Sequence, residues 1–464
     1  MEGEFRMYDL LERAVKFAEK KGALQAEAIG TQSDALVMEL EGGEVKGIER
    51  KVDSGIGVRV IVKKFRGRFV GSAFTSKLTL SSVEEAAAEA LRSSRSRKLD
   101  LPNPTFPYVR AAQTVEGIYD PTVHLVSPEQ LSEIGGLMVE SAGVDGRVKS
   151  VNGGVALISY RVYLANSLGV QAGYPSTIYS VSVDVTARDG GVASGFEDHV
   201  SRAFDEEKAL QTARSASLTA LSQLKPKEGS AGIVDVVLAP DALSDLLAHT
   251  LCQEVRSDLV QKNQSPLKGK LGQEVSSSLV TIVDDGKLRG GVGSKPYDDE
   301  GFPTGSTAVI ERGVLKSYIY NAFSALKEDR ASTGNALRPS SELVQKYLAE
   351  PQVAPTNLIL KPGRESFESL VGDVKEGVYV KNVIGAHTSN PVTGEFSVAA
   401  SIAYKIEGGE VKFPVKNLML GGNVLELLRK IDGLGKFQKQ CQGVSIDSSI
   451  LAPPIRARGL AVSA

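Results

Sequence analysis

The chain has 464 residues, with 54 Lys and Arg against 56 Asp and Glu, so its formal net charge is −2. A nearly neutral chain lacks the basic field that holds nucleic acid, so we expect no nucleic-acid partner. The sequence has no apolar signal-peptide core and no run of about 18 apolar residues, which predicts neither secretion nor a membrane span. Two cysteines make no disulfide framework, and a cytoplasmic protein is predicted.

The first half of the chain predicts helices flanking antiparallel strands. Two strands are joined by Gly42-Gly43, a dipeptide typical of a hairpin turn. The other predicted elements are helices at 5–21, 81–92, 128–141 and 205–224, strands at 57–62, 68–74, 155–164 and 176–186, and a Pro-rich loop at 101–107. A linker from Lys225 to Gly232 ends an N-terminal α+β domain, 1–225, for which a division into subdomains 1–100 and 115–225 is an alternative.

The second half, 233–464, predicts a β-rich domain with an inserted helix. A strand at 234–238 leads to Asp241, which is a suitable N-cap for a helix of about 20 residues. Many short strands with turn signals follow, as in a barrel or a sandwich. A hairpin pattern recurs at 41–46, 311–316 and 407–412 without a fixed period, so it is not a solenoid repeat. The predicted fold class is therefore α+β.

The helix after Asp241 carries the first candidate site. Four apolar residues share one face and are expected in the core: Leu243, Leu247, Leu251 and Val255. The other side carries four different side chains: His249, Cys252, Gln253 and Arg256. His249 is most simply a solvated side chain, yet His249 and Cys252 are three residues apart and could reach one metal ion.

Acidic clusters and polar loops supply further candidates. The clusters Asp284-Asp285-Gly and Asp298-Asp299-Glu-Gly could act as acid and base, but Asp before Gly more often closes a turn. The loops 332–336 and 385–397 gather small polar side chains around Gly, so that their backbone could face a bound chain. The sequence has no serine-hydrolase elbow, dinucleotide fingerprint or P-loop.

An ordered series of motifs in the second half resembles a known family. The series is Val283-Asp-Asp-Gly, Tyr297-Asp-Asp-Glu-Gly-Phe-Pro, Glu311-Arg-Gly-Val-Leu-Lys, Ser332-Thr-Gly-Asn-Ala, Asn390-Pro-Val-Thr-Gly-Glu-Phe-Ser and Val415-Lys-Asn-Leu-Met-Leu-Gly-Gly-Asn. Together with Gly55-Ile-Gly-Val-Arg-Val-Ile near the N-terminus, it is similar to the TldD/PmbA family, whose members were first described as modulators of DNA gyrase.

The resemblance implies one of two subunit types. TldD-like chains carry a His-Glu-x-x-x-His zinc motif on a helix and a Cys near the C-terminus as third ligand, and they cleave unfolded peptides in an internal channel. TldE-like chains, also called PmbA, share the fold, lack the zinc motif and pair with a TldD-like subunit.

The zinc motif is degenerate in this chain. An alignment without gaps places the first His on Ala248, the Glu on His249 and the second His on Gln253. A shift by one residue places the first His on His249. Thr250 then replaces the Glu, and the second His is lost as well. Neither alignment keeps a general base beside two imidazole ligands, so a zinc-bound water could not be deprotonated there.

The sequence therefore predicts a TldE/PmbA-like subunit with no catalytic residue, no metal and no cofactor of its own. Zinc is expected in a TldD-like partner, peptides are the expected substrates, and a homodimer is an option when the chain is alone. Five residues are candidates for lining a substrate channel: Asn335, His387, Asn390, Thr393 and Gly394.

Two alternatives remain open. In one, the chain is active alone, either through a relocated metal site of His249, Cys252 and Cys441 or through His387 in a metal-free hydrolase. In the other, it is a homo-oligomeric peptide-binding scaffold without a protease partner.

Overall fold

The structure, a computed structural model, describes residues 2–64, 67–95, 99, 104–108 and 114–464. Phe65 and Arg66, which precede the predicted strand at 68–74, and residues 101–103 of the predicted Pro-rich loop lie outside the described residues. Within the described ranges, no helix is both long enough and apolar enough to cross a membrane.

The described part of the first half contains four α-helices and six strands. The helices are α1 (Glu2–Lys20), α2 (Leu80–Ser93), α3 (Pro128–Ala142) and α4 (Glu206–Ser222). The strands are β1 (Gln25–Glu41), β2 (Glu44–Lys64), β3 (Gly67–Thr75), β4 (Val148–Asn166), β5 (Gln171–Arg188) and β6 (Val192–Ser201). They form one antiparallel sheet, the N-terminal sheet, in the order β3-β2-β1-β4-β5-β6.

The central pair of this sheet joins the two parts of the first half. Glu27 of β1 lies opposite Asn166 of β4, and the register continues to Leu40 opposite Gly153. A single sheet therefore spans both of the alternative subdomains, 1–100 and 115–225.

Successive side chains of a strand point to opposite faces, and this alternation gives the N-terminal sheet two different environments. On β1, Ala28 and Met38 pack beneath the helices, whereas Ile29 packs on the opposite face with Val292 and Val344 from the second half. The helices thus cover one face of the sheet, and the second half of the chain covers part of the other.

The second half is built mainly from short strands. Its strands are β7 (Lys227–Glu228), β8 (Gly232–Leu238), β9 (Ile282–Asp285), β10 (Ser306–Glu311), β11 (Val314–Leu315), β12 (Ala336–Leu337), β13 (Gln352–Val353), β14 (Asn357–Leu360), β15 (Glu376–Ile384), β16 (Glu395–Glu407), β17 (Glu410–Lys416), β18 (Met419–Asn423), β19 (Ile431–Leu434), β20 (Lys439–Gln442), β21 (Ser449–Ala452) and β22 (Ile455–Ser463). Its helices are α5 (Pro240–His249), α6 (Leu251–Glu254), α7 (Ser257–Gln261), α8 (Ala322–Lys327), α9 (Phe367–Gly372) and α10 (Val424–Arg429).

The strands of the second half form a closed barrel and a separate sheet. In the barrel, β15, β8, β22, β18 and β16 pair in that order, and β16 pairs again with β15. The separate sheet has the order β11-β10-β9-β14-β21-β20. The predicted α+β class is confirmed, and of the two expected forms for this half the barrel is the one present.

The inserted helix is shorter than predicted. It begins after Ala239 with Pro240 in its first turn, so Asp241 lies inside the first turn and is not the N-cap. It ends at His249 because Thr250 adopts φ −123° and ψ −84°, and the Thr250 hydroxyl donates to the Leu246 carbonyl oxygen at 2.6 Å. The prediction of one helix of about 20 residues was therefore wrong.

The predicted apolar stripe of this region is confirmed in spite of the break. Leu243, Leu247, Leu251 and Val255 are all buried in the main core of the second half. The recurring hairpins are also present, since β1–β2, β10–β11 and β16–β17 each turn through two residues with positive φ.

Candidate functional site

A groove lies between the uncovered part of the N-terminal sheet and the second half of the chain. A cavity of about 680 Å³ opens over the sheet, and a second of about 440 Å³ adjoins α5, β15 and β20. The two cavities share Phe196, Asp198 and Gln442, so they adjoin each other, and together we call them the groove. The lining over the sheet includes small residues that leave room for a bound chain: Gly153, Gly154, Ala156, Ser180 and Ser182.

A lysine ammonium contacts two carboxylates that line this groove. The Nζ atom of Lys439 on β20 is 2.6 Å from Asp198 Oδ1 on β6 and 2.5 Å from Asp241 Oδ1 on α5. It is also 3.8 Å from Glu197 Oε2. The Sγ atom of Cys441 lies 3.8 Å from the same Asp241 oxygen. We call Glu197, Asp198, Asp241, Lys439 and Cys441 the groove cluster.

The charges of the groove cluster are set by burial and by mutual attraction. Burial alone would lower the pKa of Lys439, but Asp241 and Asp198 outweigh it and raise the pKa above its ordinary value. Burial raises the pKa of Asp241 despite the attraction of Lys439. Burial, followed by the nearby Asp241, raises the pKa of the Cys441 thiol, so the neutral thiol is favoured over the thiolate.

Two further carboxylates, those of Asp184 and Asp245, line the cavity beside α5. Neither has a Lys or Arg partner among the described residues. Burial raises the pKa of Asp184. Burial also raises the pKa of Asp245, although His249 and His387 oppose this. His249 Nε2 lies 3.6 Å from Asp245 Oδ1, and the His249 and His387 rings have centroids 6.4 Å apart. The fold thus brings together two histidines that are distant in sequence.

Cys441 lies near the place where the resemblance puts the Cys ligand of the family, but the residues beside it do not fit that zinc site. Zinc needs a thiolate and two imidazoles, whereas α5 turns the carboxylate of Asp241 toward a neutral thiol and the Lys439 ammonium already neutralises that carboxylate. Among the described residues, no group of three His, Cys, Asp or Glu side chains could hold a metal ion.

The relocated metal site of His249, Cys252 and Cys441 is not assembled either. Cys252 is buried in the apolar core of the second half, and burial raises the pKa of its thiol. His249 is half exposed at the end of α5, whereas Cys441 lies against Asp241 at the beginning of that helix. The expectation that Cys252 projects away from the core was wrong because the break at Thr250 turns α6 inward.

The degenerate motif positions lie on both sides of the same break. Ala248 is buried and His249 is the last residue of α5. Gln253 lies on α6, where its Oε1 accepts a hydrogen bond from Arg256 at 2.8 Å. Since Ala248 and Gln253 belong to different helices, they do not share one helical face.

Of the five predicted channel residues, His387, Asn390 and Thr393 are exposed, and all three lie in the loop after β15. Asn335 is buried, and its Nδ2 donates to Asp284 Oδ2 at 2.6 Å, so it is a structural residue. Asn390 closes its own turn, since its Oδ1 accepts from the Val392 N–H at 2.9 Å.

Gly394, the last of the five, is buried against Glu254. A Cβ at this position would lie 2.2 Å from Glu254 Oε1, and the φ of +77° is one that other residues rarely adopt, so the position favours Gly. The Glu254 side chain is itself buried, and neither carboxylate oxygen has a hydrogen-bond partner among the described atoms. Burial therefore raises the pKa of Glu254 to about 8, against an ordinary 4.5.

The acidic clusters of the sequence hold the fold together. Asp298 closes a turn, because its Oδ1 accepts from the N–H groups of Glu300 and Phe302 at 3.0 and 2.9 Å. Asp284 accepts from the Thr356 N–H at 2.8 Å as well as from Asn335. Asp285 closes the turn of its cluster, since its Oδ1 accepts from the Lys287 N–H at 2.9 Å. The contacts of Asp298 and Asp285 favour the turn interpretation over catalysis, whereas Asp284 lies in β9 and ties that strand to Thr356 and Asn335.

The groove cluster itself was not predicted from the sequence. Two local signals were available. Lys439 and Cys441 are two residues apart in a strand and so share one face. Asp241 and Asp245 are four apart and share one side of α5. What brings the two pairs together with Asp198 is the packing of β6, α5 and β20, which no local pattern shows.

Comparisons with known proteins place the whole architecture in one family. Residues 26–94 match the sequence model of PmbA/TldA metallopeptidase domain 1, residues 123–224 match the central domain, and residues 231–464 match the C-terminal domain. An uncharacterized protein of Methanocaldococcus jannaschii is 29% identical over 438 residues, which cover 94% of this chain and 97% of that protein.

Solved structures share the fold along nearly the whole chain. A Thermotoga maritima protein, described as having a suggested role as a DNA gyrase modulator, has a TM-score of 0.86 and 27% identity and covers 98% of this chain and 100% of its own. TldE from Thermococcus kodakarensis has a TM-score of 0.87 and 22% identity, with coverage of 98% and 100%. The three matching domains and these relatives confirm the resemblance seen in the sequence: the chain belongs to the PmbA/TldD metallopeptidase family.

Proposed function

We propose that this chain is a non-catalytic, TldE/PmbA-like subunit of a TldD/TldE-type zinc metallopeptidase that acts on unfolded peptides. One observation carries the proposal: Cys441 faces Asp241 and the Lys439 ammonium, where a zinc peptidase would need imidazole ligands. Zinc then belongs to a TldD-like partner in the cytoplasm, and this chain supplies part of the surface that holds the peptide.

The groove supports a role in holding an extended peptide. β6 is the last strand of the N-terminal sheet and β20 is the last strand of the separate sheet, and residues of both line the groove. An edge strand offers free backbone donors and acceptors, so a peptide can add as a further strand with little demand on its sequence. Small side chains over β4 and β5 leave space for the peptide's own side chains.

The test is hydrolysis of an unfolded peptide by the pure chain, by a TldD-like partner and by their mixture. We expect cleavage by the mixture, its loss on treatment with EDTA, and neither zinc nor hydrolysis in the pure chain. Stoichiometric zinc together with EDTA-sensitive hydrolysis by the pure chain would contradict the proposal. Purification from the native cell without any TldD-like chain would instead favour the homo-oligomeric scaffold.

A second candidate is a hydrolase that is active alone through imidazole. The proximity of Asp245, His249 and His387 favours it, because a carboxylate beside an imidazole can orient a general base. Metal-independent hydrolysis by the pure chain that disappears in the His249→Ala variant would establish this second function.

A further inference from the structure

The cavity of about 440 Å³ beside α5 has more carboxylates than cations. Four aspartates line it: Asp184, Asp198, Asp241 and Asp245. Lys439 already pairs with two of them, Asp198 and Asp241. The other two, Asp184 and Asp245, have no Lys or Arg partner in the part of the chain that the structure describes. The cavity therefore holds negative charge that this chain does not neutralise.

These two carboxylates belong to different walls of the cavity. Asp184 lies on β5, on the same face of the N-terminal sheet as Ser182, whereas Asp245 lies on α5 in the second half of the chain. His249 Nε2 is 3.6 Å from Asp245 Oδ1, which is too long for a hydrogen bond. A side chain that entered the cavity would thus meet an available carboxylate on each wall.

The same cavity contains polar groups that lack a hydrogen-bond partner. Ser244 is buried, with 2% of the residue exposed, and it lines the cavity on the same side of α5 as Asp241 and Asp245. Its hydroxyl has no hydrogen-bond partner among the described atoms, and the Cys441 thiol beside it is a weak hydrogen-bonding group. The acceptor atom Oδ1 of Asn382, another lining residue, is also buried without a partner in the described chain. Since buried polar groups are nearly always paired, these two point to a ligand that brings donors into the cavity.

We infer that this end of the groove binds the cationic side chain of a peptide between Asp184 and Asp245, and that it prefers Arg to Lys. The inference rests on the proposed function, because it names the class of peptide that the groove holds. A guanidinium has five N–H donors in a fixed fork, whereas an ammonium has three. The fork can bind one carboxylate through two hydrogen bonds and still has donors left for Asn382 Oδ1 and the Ser244 hydroxyl.

The rest of the groove does not repel such a cation. The lysines that line or adjoin it in the described chain are each paired with a carboxylate: Lys46, Lys51, Lys381 and Lys439. Burial lowers the pKa of His199, which lines the wider cavity, and so favours the neutral imidazole. The paired lysines and the neutral imidazole leave the carboxylates of Asp184 and Asp245 to set the charge that a peptide meets at this end.

The test measures the binding of labelled unfolded peptides to the pure chain by fluorescence anisotropy. The peptides are identical except at one central position, which is Arg, Lys, Glu or citrulline, a neutral residue with the shape of Arg. We expect the Arg peptide to bind at least about tenfold more tightly than the citrulline peptide, with Lys between them, because charge-assisted hydrogen bonds are the stronger ones. Equal Kd values for Arg and citrulline would overturn the inference and leave the peptide-holding role intact. Failure of every peptide to bind would contradict both.

A pair of variants assigns the preference to the two carboxylates. Asp184→Asn with Asp245→Asn keeps the side-chain shapes and removes both charges, so the preference for Arg over citrulline should fall below about twofold. The matched control is Glu85→Gln with Glu133→Gln, which changes the net charge equally at exposed positions of α2 and α3, on the other face of the N-terminal sheet. This control should keep the full preference. A preference that persists without Asp184 and Asp245 would overturn the inference.

The single variants keep the inference testable if the double variant does not fold. Asp184→Asn and Asp245→Asn should each lower the preference for Arg over citrulline by at least about twofold, since each removes one charged acceptor. An unchanged preference in both single variants would likewise contradict the inference.

Discussion

Two groups of charged side chains join the N-terminal sheet to the second half of the chain, and they differ in access to solvent. In the first, which we call the sealed network, four carboxylates meet four cations: Glu27, Asp299, Glu300 and Asp447 with Arg59, Lys295, Arg338 and Lys346. Their side chains are 0–5% exposed. In the groove cluster, Lys439, Asp198 and Asp241 are 15–29% exposed.

The sealed network is balanced in charge and closed by aromatic rings. Arg59 lies 2.9 Å from Glu27 and 2.8 Å from Glu300, and its guanidinium is 4.8 and 5.2 Å from the ring centroids of Phe106 and Phe323. The groove cluster has an excess of acid, since Asp184 and Asp245 lie beside it without a Lys or Arg partner in the described chain. The balanced network is buried and ties the two halves together, whereas the groove cluster is acidic and partly open to solvent.

The largest effect is expected in the sealed network. Arg59→Met leaves Glu27 and Glu300 buried without this partner, which should cost on the order of 4 kcal/mol of unfolding free energy. The measurement is the urea midpoint, with Arg50→Met as the matched control. Arg50 pairs with Asp34 at the surface and is 67% exposed, so its loss should shift the urea midpoint far less than Arg59→Met does. Equal losses in the two variants would erase the distinction between sealed and open pairs.

Glu254 is a third case, because it is buried and its carboxylate has no hydrogen-bond partner in the described part of the chain. Its pKa of about 8 in the folded chain lies above its ordinary value of 4.5. Between these values the unfolded chain gives up this proton and the folded chain keeps it, so stability falls as pH rises through this window. At pH 9, Glu254→Gln should be more stable than the unchanged chain by on the order of 3 kcal/mol, and the gain should vanish near pH 4.

Urea unfolding across this pH range gives the comparison for Glu254. Asp284 and Asp298 also have raised pKa values, of about 7 and about 8, so the unchanged chain alone would not isolate Glu254. The difference between the variant and the unchanged chain cancels their contribution. A difference that does not change with pH would show that Glu254 is paired or solvated in solution.

A smaller effect is expected where the loop after β15 rests on Glu254. Gly394→Ala combines a positive φ of +77° with a Cβ only 2.2 Å from the Glu254 carboxylate, and a loss of about 2 kcal/mol is expected. Gly385 is the matched control, because its φ is +98° but no neighbouring atom of the described residues lies within 4 Å of a Cβ there. Gly385→Ala should lose only about 1 kcal/mol, from backbone strain. Equal losses in a thermal or urea melt would mean that the loop does not pack on Glu254.

Local patterns in the sequence were sufficient for the elements but not for their assembly. The Gly42-Gly43 turn and the leucine stripe of α5 follow from turn chemistry and helical periodicity, and both are present. The pairing of β1 with β4 joins residues more than a hundred positions apart, and no local pattern specifies it. The break at Thr250 is also invisible to periodicity, because the apolar spacing continues through it. The site depends on that assembly, and so Lys439 was missed.

The smallest effects are expected at His249 and His387, and they decide between the two proposed functions. Both side chains are substantially exposed, so each change to Ala should alter the unfolding free energy by less than about 0.5 kcal/mol. Cleavage by the mixture with a TldD-like partner should stay within about twofold of the unchanged mixture, because a group that takes no part in bond breaking contributes little to the barrier. A loss of a hundredfold or more in both the single variants and the double variant would mean that the pair acts as one catalytic unit, since residues that act together are not additive. That result would move the chemistry from the partner to the open groove of this chain, where the carboxylate of Asp245 already lies 3.6 Å from an imidazole.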